Sequence, residues 1–142
     1  MKGKFFKKTI LLFTFIGLFA ASNSIFAQNN ECQMIFLRPS RGMAQGIEHV
    51  ITLNGKEIGR LTNSSMLTYT LKSEGEYELL ITTLFWGAPS GTPFLTKVYV
   101  NKGAPVYVDL KSSWNPVAGI INAKKAAGML KKCSYKITGK EE

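Results

Sequence analysis

The chain beyond residue 27 predicts an all-β fold: a two-sheet antiparallel sandwich of about seven strands with one short C-terminal helix. Short β-prone runs recur throughout, separated by turn residues. Within several runs the apolar residues alternate with polar ones, as a strand with one buried face requires. Asn54-Gly55 stands between two such runs, and Asn-Gly is the strongest short hairpin signal, because both central residues of that turn need positive φ.

The runs follow in order. Gln33 to Arg38 reads as a strand ended by Pro39, and Ile47 to Leu53 as a second. Lys56 to Thr62 returns from the Asn54-Gly55 turn as the third. Met66 to Leu71 is a fourth, before the turn Ser73-Glu74-Gly75. Glu76 to Phe85 is the longest, with Tyr77, Leu79 and Ile81 on one face and Glu76 and Glu78 on the other. A Gly/Pro loop is expected from Trp86 to Pro93. Leu95–Asn101 and Pro105–Lys111 are expected to form a hairpin around Lys102-Gly103-Ala104. Asn122 suits a helix N-cap. Ala123, Ala126, Ala127 and Leu130 then recur at helical spacing, predicting a short helix against the sandwich. Ser134 to Thr138 reads as a last strand.

Residues 1–27 have the order of a secretory signal peptide. Lys2, Lys4, Lys7 and Lys8 precede the apolar run Ile10–Ala21, and a short polar stretch ends at Ala27. The run is roughly 12 residues, short of the about 20 needed to span a bilayer. Cleavage is expected after Ala27, with Ser22 and Ser24 as alternatives. The expected products are a leader, 1–27, and a single domain, 28–142, placed in the periplasm or at the cell surface. Asn29-Asn30-Glu31 before Cys32 is not the small-residue box of a lipoprotein. The whole chain has 18 Lys+Arg against 9 Asp+Glu, and removing the leader's four lysines leaves 14 against 9. That moderate excess does not point to nucleic acid; an anionic envelope surface suits the compartment better. The two cysteines, Cys32 and Cys133, are expected to pair in an exported chain, closing a loop of about 100 residues.

Several of these residues resemble a known family. The strand ending Phe36-Leu37-Arg38-Pro39-Ser40-Arg41, the hairpin Val50–Leu61 and the turn Glu74-Gly75-Glu76-Tyr77 are similar to domain of unknown function 2846, small exported bacterial proteins. The hairpin also looks PEGA-like. Phe36 stands where family members often carry Tyr, and no Pro precedes Gly75. The resemblance implies a transthyretin-like or immunoglobulin-like sandwich, and carries no activity or functional residues.

No catalytic constellation is legible, and a non-enzymatic module without cofactor or metal is expected. His49 shares a strand face with Ile47, Ile51 and Leu53, which reads as a packed histidine. Asp109 is the sole aspartate, and the glutamates sit at turns and outer faces. Two cysteines and one distant histidine have no metal-ligand spacing. Arg38 and Arg41 flank Pro39-Ser40 and could grip a phosphate or carboxylate. Lys124 and Lys131, with Lys125 and Lys132, would form a basic helix face able to touch an anionic surface. Trp86, opening the Gly/Pro loop, and Trp114, in the loop Trp114-Asn115-Pro116, are candidate stacking platforms for a glycan or a partner protein. The expected function is a structural or protein-interaction role in the bacterial cell envelope, with an envelope protein as partner. The alternative is binding of a carbohydrate through the tryptophan-bearing loops.

Overall fold

The computed structural model describes residues 30–41, 46–111 and 115–142. The expected leader and Trp114 lie outside these residues. Among the described residues nine strands and one helix follow in order: β1 (Cys32–Arg38), β2 (Ile47–Leu53), β3 (Lys56–Leu61), β4 (Ser65–Leu71), β5 (Gly75–Phe85), β6 (Ala88–Val100), β7 (Val106–Lys111), β8 (Val117–Ile121), α1 (Ala123–Leu130) and β9 (Tyr135–Lys140). They form the expected two-sheet sandwich. One sheet has the order β8-β7-β1-β4-β9 and the other β3-β2-β5-β6.

The sheets pack through the alternating stripes. Met34, Phe36, Ile51, Leu67, Leu79, Ile81, Val98, Val108 and Leu110 fill the space between them. A second, smaller core lies on the outer face of the five-stranded sheet, where Leu37 and Met66 meet Ala126 and Cys133. Asn122 caps α1 as expected, its Oδ1 accepting from Lys125 N at 2.9 Å. The helix packs through Ala126, Met129 and Leu130; Ala123 and Ala127 of the expected stripe are exposed.

Most pairs are antiparallel, but β1 runs parallel to β7, and β4 to β9. The hairpin expected between Leu95–Asn101 and Pro105–Lys111 does not form. Lys102-Gly103-Ala104 instead carries the chain from one sheet to the other, because β6 and β7 belong to different sheets. The Gly/Pro loop expected at Trp86–Pro93 is also corrected. Only Trp86 and Gly87 turn, and Ala88, Pro89 and Ser90 pair with Phe85, Leu84 and Thr83. Pro is tolerated here because β6 is an edge strand.

The Cys32–Cys133 bond does not form; both cysteines are free and buried. Cys32 begins β1 and packs between the sheets. Cys133 lies beside the main chain of Arg38, at the other end of β1, on the helix side. Six strand steps of about 3.3 Å separate those ends by roughly 20 Å, against the about 7 Å a disulfide allows.

Candidate functional site

Two places draw attention: a polar end of the sandwich and an open side. The polar end collects the C-terminal ends of β1, β3, β5 and β7 with the N-terminal ends of β2, β4 and β6. Strict alternation after Met34 and Phe36 aims Arg38 between the sheets, where it is fully buried. Its Nη1 donates to Ile47 O at 2.8 Å and Leu61 O at 2.6 Å. One guanidinium thus ties the five-stranded sheet to β2 and β3 of the other. Burial pushes its pKa down to about 10, with Glu48 acting in the opposite sense. Arg41 is held elsewhere, on Asp109 Oδ1 at 2.8 Å. The expected two-arginine anion grip is therefore not built, since one guanidinium is sealed inside the sandwich and the other is paired.

His49 follows the same logic on β2. It is fully buried, and its Nδ1 lies 3.1 Å from Thr83 Oγ1. Burial pushes its pKa down to about 4, the Arg38 charge adds to that, and the Lys111 main chain acts weakly in the opposite direction. The ring stays neutral at physiological pH and meets no solvent, so it serves packing as expected. Burial also raises the Cys133 thiol pKa. Among the described residues no group of three or more His, Cys, Asp or Glu could hold a metal ion.

Trp86 stands at the rim of this end, 76% exposed. It occupies the first central position of the β5–β6 turn at φ 49°, with Gly87 at 85°. The Asn54-Gly55 turn has nearly the same values, 47° and 80°, so Trp86 sits where a type I′ turn ordinarily takes Asn, Asp or Gly. Trp86 N donates to Gly46 O at 2.9 Å. The indole lies so close over Gly46 that a Cβ there would stand 2.7 Å from Cε2. Beside it is a recess of about 580 Å³ reached by Glu48, Thr62 and Asn63. Trp114 lies outside the described residues; its neighbour Asn115 accepts from Thr92 N at 3.0 Å.

The four lysines expected on one helix face are all exposed. Only Lys124 and Lys125 lie on α1, however, which ends at Leu130. Lys131 and Lys132 belong to the following turn, so the sevenfold spacing does not make a single helical stripe.

The open side was not legible as a site in the sequence. Here the edge strands β6 and β8 of the two sheets face each other across an apolar cleft of about 250 Å³. Leu79, Phe94, Val98, Val108 and Ile120 line it. Ile120 pairs with Val108, a core residue, and so faces the space between the sheets. It is nevertheless 64% exposed, because the four-stranded sheet stops at β6 and leaves β8 overhanging. The edges also differ in charge. β3 carries Lys56, Glu57 and Arg60, and β9 carries Lys136 and Lys140. β8 has no charged residue, and the charge on β6, Lys97, is paired to Glu76 at 2.8 Å. Exposed edges are usually guarded by charge; β8 has none and β6 has Lys97 alone.

Comparison of the chain with protein-family models, with curated proteins and with solved structures finds no match.

Proposed function

We propose that this chain is an exported, non-enzymatic module of the bacterial cell envelope that holds a partner protein at its open side. The observation that carries the reading is Ile120, an inward-facing core position left uncovered on an uncharged edge strand. An extended segment of a partner, added beside β6, would continue the four-stranded sheet and cover the overhang. Main-chain hydrogen bonds to the free edge would supply affinity, and alternate apolar side chains entering the cleft would supply selectivity. Leu95 and Tyr99, both exposed on β6, would flank that strand on the outer face. Pro89 and Pro93 lack N–H groups, which leaves Phe94–Val100 as the stretch able to pair.

Export and envelope location rest on the Lys-rich, apolar and small-residue order of residues 1–27. The test is capture from an envelope extract with the parent protein beside Ile120→Lys and Leu95→Lys. A partner protein held by the parent and lost from the Ile120→Lys variant supports the reading. A partner held equally by all three proteins sinks it.

A further inference from the structure

We propose that the recess beside Trp86 is a carbohydrate site that takes a neutral oligosaccharide. The case begins with the cost of the residue. Type I′ geometry admits Asn or Gly without strain, and a bulky side chain at positive φ is disfavoured. The chain uses Asn at this position in the β2–β3 turn and Trp in the β5–β6 turn, at nearly equal φ. Strain of this kind persists where the surroundings over-determine it and clusters at ligand sites. The indole does not offset it by burial, since three quarters of the residue's surface stays open.

The surroundings hold the ring as a platform. The Trp86 N–Gly46 O bond fixes its backbone, and Gly46 leaves the clearance that lets the ring lie against the chain. Phe85 meets it edge-on, with ring centroids 6.0 Å apart. The recess falls in the usual range for ligand pockets. Besides Trp86 and the glycines, Ile47 and the polar residues Glu48, Thr62 and Asn63 line it, and Asn63 Oδ1 accepts from Arg41 N at 3.3 Å.

An aromatic plane beside a carboxylate, a hydroxyl and an amide matches a sugar ring, with its apolar C–H face and a perimeter of hydroxyl donors and acceptors. Glu48 repels an anionic ligand, although Arg60 Nη1 lies 3.7 Å from its carboxylate. A protein anchor pocket would instead bury the indole, and here it stays 76% exposed with Ile47 the one apolar side chain lining the recess beside it. Arg38 and Arg41 do not contribute, being committed to main-chain carbonyls and Asp109.

The experiment titrates the full-length secreted protein with cellotetraose, chitotetraose and maltotetraose. Binding is read by calorimetry and by indole fluorescence in a Trp114→Phe background, where Trp86 is the sole tryptophan. The key variant is Trp86→Asn, which removes the platform but supplies the residue the other turn uses. Asn63→Ala and Glu48→Gln are the second and third variants, and circular dichroism melts confirm folding. The expected result is saturable binding of one probe, weakened roughly tenfold or more by Trp86→Asn and less by the other two, with melting unchanged to within a few degrees. Binding that survives Trp86→Asn undiminished overturns the site. So does the absence of binding by all three probes at millimolar concentration. Loss of a captured partner protein on Trp86→Asn, with no sugar bound, would make the indole a protein anchor and also overturns the proposal.

Discussion

Lowering the pH tests the polar end through His49. In the unfolded chain its imidazole titrates near 6.5, and in the folded protein burial and the Arg38 charge push it down to about 4. Between those values the unfolded chain binds the extra proton and the folded chain does not. Stability from this group is therefore full above about pH 6.5, falls as the pH drops, and is gone below about 4. One unit of separation is worth about 1.4 kcal/mol, so the whole window is worth about 3 kcal/mol. With an m-value of about 1–3 kcal/mol/M, the urea midpoint should move by roughly 1–3 M. Carboxylates titrate in the lower part of the same window, so the readout is the difference between the parent and His49→Gln, which carries no titratable ring. The variant should show the flatter profile. His49 is the only histidine, so its ring proton gives an unambiguous NMR titration. A folded-state pKa of 6 or above, or parallel stability profiles, would refute the argument.

Arg38→Ala strands two carbonyl oxygens that the guanidinium now bonds, and should cost about 3–5 kcal/mol by urea unfolding; a loss below 1 kcal/mol would show that water replaces it freely. Gly55→Val meets open space but must adopt φ near 80°, so about 1–2 kcal/mol of strain should appear as a lower melting temperature. An unchanged melt would mean the turn refolds to another type. Thiol labelling of the denatured, unreduced protein should find both cysteines free, and neither should react quickly in the folded state because both are buried. A blocked pair would restore the bond that the geometry rejects.

The local elements were legible where one face of a strand is buried. The stripe Ile47, His49, Ile51 and Leu53 predicts β2 to the residue, and the Asn54-Gly55 turn predicts its partner. The elements that escaped depend on distant contacts. β8 is a five-residue strand, Val-Ala-Gly-Ile-Ile, too short to show a period and defined by its pairing with β7. The parallel pairs join segments far apart in sequence, which local alternation cannot register. At Trp86–Pro93 the Gly and Pro content masks a hairpin because Pro is compatible with an edge strand. Arg38 misleads when read by charge alone. Its position two residues beyond Phe36 already aims it at the core, and that parity was the available signal. The Ile120 overhang had no signal, since it arises from the unequal widths of two sheets.

The open side can be tested directly by placing a photo-reactive residue, one position at a time, at Tyr99, Ile120 and Arg60 of the protein in intact cells. Ile120 lines the cleft between β6 and β8, Tyr99 is exposed on the outer face of β6 where the added strand would lie, and Arg60 marks the charge-guarded β3 edge. The account predicts adducts to the same protein from Tyr99 and Ile120, none from Arg60, and their disappearance from Tyr99 when Ile120→Lys is added. Adducts of equal yield at Arg60, or none at Ile120, would contradict it.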